Sequence, residues 1–432
     1  MEENEYTMGE SIYIFRNGTL SRKDDNILMT DLNGDKKNLR IEVLDEIYLF
    51  GEVTLNTKLL NIASQNNVVI HIFNYYGFYS GSFFPRERKI SGNIIVEQVR
   101  NYDDLIKRLK LAKEFVCTAA ANIYRNLRYY NGRGIDLKRD MIEIESLQNK
   151  ISKSTGISEL MGIEGNIRKI YYACWNKIIN QDINFNKRTK RPPDNMINSM
   201  ISFINSLIYS TVLSEIYKTH LHPAISFLHE PGERRFSLAL DIAEVFKPLI
   251  GDRMIFSMLN KNQLNENDFE YDSNFTYIKE SSRRKIMEEY DKRLERVIMH
   301  RDLGREVSYR YLIRLECYKI IKHIIGEKDY NGFVIWWCLE MYMVLVYDIL
   351  NDKESPKISR NIFKICKKYL VHIQKSVFEG DITQLNYMKL KKELGVYIRK
   401  DKDSVITFTS RSEKWLDKDF WGIEDDKTSN FF

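Results

Sequence analysis

The chain has 432 residues, 43% of them hydrophobic and 12% aromatic, which is enough for two or three buried cores and excludes a disordered polypeptide. Its 66 basic and 60 acidic residues leave a formal charge of +6, so a nucleic-acid partner is permitted without being demanded. The five cysteines, Cys117, Cys174, Cys317, Cys338 and Cys366, show no CxxC pair, which argues against a disulfide framework and suits free thiols in a reducing compartment.

Residues 8–95 read as an antiparallel β domain. Ser11–Arg16 and Thr19–Lys23 flank Asn17-Gly18, the dipeptide favoured in two-residue hairpin turns. Short apolar runs follow at 41–44, 46–50 and 67–73, and the tract from Asn74 to Glu87 reads as a tight turn leading into a last strand. Near Val96 the hydrophobic period lengthens to about 3.6, and residues 96–340 read as an all-α domain. Its expected helices are 103–128, 136–153, 166–179, 195–219, 238–259 and 307–325. Two irregular breaks interrupt them, 181–194 with Pro192-Pro193, and 220–235 with Pro223, Pro231 and Gly232. From Met341 the pattern changes again. A buried-strand sequence ending at Asp348 opens a β-α-β-β-α-β order over 341–432, that of a ferredoxin-like α/β domain. Phe420–Ile423 would add an edge strand, and Met1–Thr7 has no evident role. The fold expected is therefore multidomain α+β. No leader-like apolar segment follows Met1-Glu2-Glu3, and no apolar run approaches the roughly 20 residues of a membrane helix. A cytoplasmic protein without membrane contact is expected.

Three places in the helical domain carry residues suited to chemistry. Gly162-Ile163-Glu164-Gly165 puts a carboxylate between glycines, expected at a helix start, where the backbone turns freely and a ligand comes close. A helix N-terminus favouring an acid would explain it equally. His229 lies in the second break, where a structural hydrogen bond is the plainer role. Asp241 and Glu244 stand three apart on one face of an otherwise apolar helix, a costly placement unless a cation offsets them. Together Glu164, His229 and Glu244 offer oxygen, nitrogen and oxygen ligands, a set suited to Mg²⁺ or Mn²⁺, with the imidazole tilting the choice to Mn²⁺. Basic clusters at Lys187, Arg188, Lys190 and Arg191, at Arg283, Arg284 and Lys285, and along Arg301, Arg305, Arg310 and Arg314 could neutralise phosphates, or could be solvated helix faces. Asp348 ends the first strand of the last domain, but a single carboxylate makes a poor metal site.

Four short motifs in order resemble a known family. Gly162-Ile163-Glu164-Gly165, Arg191-Pro192-Pro193-Asp194 with Asn198, Phe227-Leu228-His229, and Ser237 to Glu244 stand as in the CRISPR-associated adaptation integrase, over roughly Gly9–Trp337. Tyr75 to Phe83 resembles the end of that family's β domain. Val344 to Ile349 and Gln374 to Gly380 resemble its companion, the small ferredoxin-like CRISPR adaptation subunit. The resemblance implies metal ligands at Glu164, His229 and Glu244, an acidic neighbour at Asp241, and DNA held by the residues near 187–191 and 283–285. It implies that the 3′-hydroxyl of a short foreign DNA attacks a phosphodiester at the leader end of a CRISPR repeat. Partners would be double-stranded DNA, further copies of the chain and other adaptation proteins. A metal-dependent nuclease, or a DNA-binding scaffold with a weak site, stands as the alternative. Separate chains of the family pair two enzyme subunits with each companion subunit; one fused chain supplies them equally.

Overall fold

The structure, a computed structural model, describes residues 9–86, 89–183, 185–190, 192–232, 236–271, 275–300, 303–335, 341–352, 355–382, 384–399 and 401–410. Arg191, Arg301, Met1–Thr7 and Phe420–Ile423 fall outside the described residues. The chain divides into two compact units, one ending at Val334 and the other beginning at Ile335, slightly ahead of the change of pattern at Met341.

The first unit opens with β1 (Glu10–Ile14), β2 (Gly18–Lys23), β3 (Asn26–Asp31), β4 (Lys36–Leu39), β5 (Leu44–Leu49), β6 (Val53–Leu55), α1 (Thr57–Gln65), β7 (Val69–Phe73) and β8 (Tyr79–Phe83). They form two four-stranded sheets, ordered β1-β5-β7-β8 and β4-β3-β2-β6. The sheets are mixed, not purely antiparallel: β1, β5 and β7 run parallel, as do β2 and β6. Nor does Asn17-Gly18 make a hairpin. There the chain crosses between sheets, Asn17 Oδ1 accepting from the Glu52 N–H, while β2 turns back through Asp24-Asp25 onto β3. Burial explains the parallel pairing. Ile47, Leu49 and Ile70 enter a core with Leu20, Ile27 and α1, and Tyr48 and His71 are buried on the other side of their strands. A sheet covered on both faces can hold parallel strands.

The helices are α2 (Gly92–Asp103), α3 (Leu105–Gly132), α4 (Lys138–Ile151), α5 (Ile157–Ala173), α6 (Trp175–Ile178), α7 (Met196–Tyr217), α8 (Ser237–Phe246) and α9 (Arg253–Asn260), with wider π-type turns at Lys247–Asp252 joining the last two. The region is not all-α. Hairpins β9 (Phe269–Tyr271) with β10 (Thr276–Ile278) and β11 (Val297–His300) with β12 (Arg305–Ser308) flank α10 (Glu280–Glu295) and precede α11 (Tyr309–Ile324). Helix α7 is apolar and long enough to cross a membrane by length and composition, contrary to the sequence reading, but its most apolar stretch is 78% buried among its neighbours. It is the spine of the unit. Sheet and helices do not separate into the two expected domains, because buried polar contacts join them. Arg310 on α11 pairs with Glu46 on β5 at 2.7 Å, and His71 on β7 reaches Ser214 on α7 at 2.8 Å. Arg314 likewise pairs with Glu215 at 2.7 Å. Arg310 and Arg314 are thus interior ion-pair partners and not part of a basic stripe.

The second unit runs β13 (Met341–Asp348), α12 (Ser355–Tyr369), β14 (Val371–Gln374), β15 (Val377–Ile382), α13 (Gln384–Leu394) and β16 (Ser404–Ser410). Its antiparallel sheet is ordered β14-β15-β13-β16, the ferredoxin-like arrangement. Met343, Leu345, Ile362, Cys366, Phe378 and Leu390 form its core.

Candidate active site

Glu164 does not sit at a helix start. Helix α5 begins at Ile157, anchored where Glu159 accepts from the Thr155 N–H at 2.8 Å, so Glu164 lies about two turns inside. The two glycines are exposed, and a Cβ at Gly162 or Gly165 would meet nothing within 4 Å. The backbone of α5 is therefore bare on either side of Glu164, whose own side chain is 20% exposed.

Asp241 and Glu244 share a face of α8, as their spacing requires. Asp241 is fully buried and accepts four hydrogen bonds from one short segment. These come from the backbone N–H groups of Phe227 (2.7 Å), Leu228 (2.9 Å) and His229 (3.0 Å), and from His229 Nδ1 (2.8 Å). An ionised carboxylate only accepts, so Nδ1 carries a proton, and in the neutral imidazole the lone pair then lies on Nε2. The break is braced from behind. Arg108 on α3 donates to the Phe227 carbonyl at 3.0 Å and to Glu230 at 2.6 Å, and Gln98 on α2 holds the carbonyls of His222 and Ile225.

Glu164 and Glu244 meet through a residue that sequence reasoning passed over. The Arg168 guanidinium donates from Nε to Glu164 at 2.8 Å and from Nη2 to Glu244. Lys247 holds the other oxygen of Glu244 at 2.5 Å. Burial works against the Glu244 charge, but Arg168, Lys247 and His229 outweigh it and hold this carboxyl well below the usual range. Burial likewise opposes the Arg168 charge, and Glu244, Tyr172 and Glu164 raise its pKa well above the ordinary value. Arg168 follows Glu164 by four residues and Lys247 follows Glu244 by three, spacings that mark intrahelical ion pairs. Asp252, at the end of the π-type turns, is 3% exposed, and burial pushes its carboxyl up to about 7 against the pull of Arg168. Its Oδ2 is buried without a hydrogen-bond partner.

Glu164 and Glu244 thus meet at Arg168, with Lys247 beside them, while His229 is fixed to Asp241 and stands within electrostatic reach of Glu244. Among the described residues no three His, Cys, Asp or Glu side chains stand ready to hold a metal as they are. The donor set still fits a hard divalent cation once the guanidinium leaves. Two carboxylates and a neutral imidazole are donors of the type such an ion takes.

The basic residues divide. Lys187, Lys190, Arg284 and Lys285 are exposed. Lys190 stands within electrostatic reach of the site: burial, Lys247 and Arg188 lower its pKa, while Glu244 and Glu164 raise it. Arg188 and Arg283 have other occupations than the phosphate contacts expected of them. Arg188 donates to Asn198 Oδ1 at 2.9 Å and Ser202 at 2.9 Å, fixing the break to α7. Arg283, 6% exposed, is tied to the Tyr75 carbonyl. A cavity of about 210 Å³ lined by Tyr76, Phe78, Pro192, Pro193, Phe203 and Tyr277 holds none of the expected ligands. It is apolar. In the second unit Asp348 is exposed, paired across the sheet with Ser404.

The model of the family described as CRISPR associated protein Cas1 matches residues 12–292, and that of CRISPR associated protein Cas2 matches 341–418. The CRISPR-associated endonuclease Cas1 of Fusobacterium nucleatum is 54% identical over 76% of this chain and 98% of its own. That of Thermodesulfovibrio yellowstonii is 50% identical over 75% and 99%. The solved structure of a Cas1 protein from Thermotoga maritima superposes with a TM-score of 0.68 at 39% identity, covering 75% of this chain and 99% of that one. With a family model over residues 12–292, relatives at 54% and 50% identity and a shared fold, the chain belongs to the CRISPR-associated Cas1 family and carries a Cas2 segment, from residue 341, in the same polypeptide.

Proposed function

We propose that the chain is the integrase of CRISPR adaptation, joining short foreign DNA to the leader end of a repeat by metal-dependent transesterification. The observation that carries this reading is the pairing of Glu164 with Glu244 through one guanidinium, with the Asp241-held His229 within electrostatic reach of Glu244. The endonuclease name of the relatives supports phosphodiester chemistry.

Glu164, His229 and Glu244 would hold Mg²⁺ or Mn²⁺, which when bound would neutralise charge at the scissile phosphate and favour departure of the 3′-oxygen. Asp241 keeps the imidazole in one tautomer and one orientation. Lys190 and Lys247 supply fixed positive charge where a phosphate would enter, and Lys187, Arg284 and Lys285 would hold DNA by its backbone. No covalent bond to the protein is needed. The Cas2 segment is read as a bridge, because a single carboxylate such as Asp348 makes a poor metal site by itself. DNA, further copies of the chain and other adaptation proteins are its partners. The setting is the cytoplasm, with which free thiols at Cys117, Cys174, Cys317 and Cys366 agree.

The test is strand transfer into supercoiled DNA carrying a leader and repeat, with each metal in turn. Glu164→Ala and His229→Ala are expected to abolish joining while the protein stays folded. Joining at the normal rate by His229→Ala with Mn²⁺ would refute the assignment. The endonuclease name also admits a general nuclease, which degradation with no joined product would favour.

A further inference from the structure

Arg168 occupies the place between Glu164 and Glu244 where a shared cation belongs, and it does so with both arms of its guanidinium. Its side chain is 11% exposed and those of the two glutamates 20% and 9%, so without it two carboxylates would face each other largely out of water. Within electrostatic reach of the same guanidinium lies Asp252, held on the π-type turns beyond Lys247. Asp252 Oδ2 is a buried acceptor with no donor. A buried acceptor left unmade is costly, and it is resolved by the arrival of a donor. Of the nearby cations, Lys247 touches Glu244 alone, whereas Arg168 forks between both glutamates and is the one that an ion shared by them would displace.

We propose that Arg168 is a resident counter-ion of the site, holding Glu164 and Glu244 together in the metal-free protein and moving to Asp252 when a divalent cation takes the glutamates. This rests on the metal reading of Glu164, His229 and Glu244. Arg168 is a positioning residue: it keeps the ligands paired in advance, and its departure couples metal entry to a change inside the helical bundle. Asp252 sets how readily it leaves. Metal affinity is therefore a competition between the ion and an internal guanidinium, with Asp252 on the side of the ion.

The experiment uses the full chain and Mn²⁺ alone, its binding followed by electron paramagnetic resonance and by the Mn²⁺-induced rise in melting temperature. Arg168→Gln should bind Mn²⁺ at least tenfold more tightly than the unaltered protein while melting at a lower temperature without metal. Asp252→Asn should bind Mn²⁺ several-fold more weakly. A purely structural role would move both variants in the same direction. Should Arg168→Gln not fold, Arg168→Lys, which keeps the charge but cannot fork across two carboxylates, should give a smaller gain in affinity of the same sign. Glu164→Gln separates the two readings. If it leaves Mn²⁺ binding untouched, the metal site itself is wrong and the counter-ion role falls with it. If it abolishes binding while Arg168→Gln and Arg168→Lys bind like the unaltered protein, the metal site stands and the counter-ion role is overturned.

Discussion

Replacing Asp241 by asparagine tests whether this buried acid serves the chemistry or only the packing. The carboxylate accepts from three backbone N–H groups and from His229 Nδ1, all within 3.0 Å. Hydrogen bonds to a charged group contribute about 1.5–3 kcal/mol each, but they share one acceptor and the segment can relax, so they do not sum. An amide keeps one oxygen. The Phe227 and Leu228 donors are backbone groups that both fall on Oδ2, so the amide oxygen should turn to them. Its NH₂ then faces the His229 N–H and Nδ1. The expected stability loss is on the order of 2–3 kcal/mol, against the roughly 3–5 kcal/mol typical of breaking a buried charged network outright. The consequence for His229 is sharper. Facing a donor, Nδ1 must accept, the proton moves to Nε2, and the lone pair needed for a metal is lost. Outer-shell partners of this kind typically carry 10–100-fold in affinity or activity. Urea unfolding should therefore show a modest shift, while Mn²⁺ affinity and strand transfer fall by about that factor. Normal Mn²⁺ affinity and normal joining in Asp241→Asn would refute the argument that this carboxylate sets the tautomer.

Three further outcomes are expected. Arg310→Met leaves Glu46 buried and unpaired and should cost about 3–5 kcal/mol in urea unfolding, with part of the loss recovered in the double variant Glu46→Gln, Arg310→Met. His71 is pushed down to about 4, chiefly by burial, with Glu46 opposing and Arg310 and Lys218 assisting. The neutral form is the one folded, so stability is full above pH 6.5 and drains as pH falls toward 4, on the order of 3 kcal/mol across the window. His71→Gln should flatten the stability profile between pH 6.5 and 4.5, and an unchanged slope would count against burial as the cause. Lys190→Ala should weaken DNA binding and reduce the salt slope by about one, whereas Arg188→Gln should lower the melting temperature and leave that slope nearly unchanged.

Much of this protein was legible in periodicity and local spacing. The switch near Val96 from period two to 3.6, the helical stretch of α7, and the strand-helix order after Met341 follow from where apolar residues recur, since each element must bury one face. The order of Glu164, His229 and Glu244 was visible too, as was the shared face of Asp241 and Glu244. Local pattern says nothing of which distant segment an element meets. Asn17-Gly18 reads as a hairpin, yet burial of the β1-β5-β7 sheet on both faces sends the chain into a second sheet. Arg310 and Arg314 read as a basic stripe, and only packing onto β5 and α7 gives them Glu46 and Glu215. Arg168 reads as a partner of Glu164 one helical turn away. That it also grips Glu244, 76 residues along the chain, is decided by how α5 and α8 pack. Sequence could name the proposed ligands; only the tertiary structure put an arginine between two of them, Glu164 and Glu244, because long-range charge pairing depends on the packing of whole helices and leaves no local spacing to read.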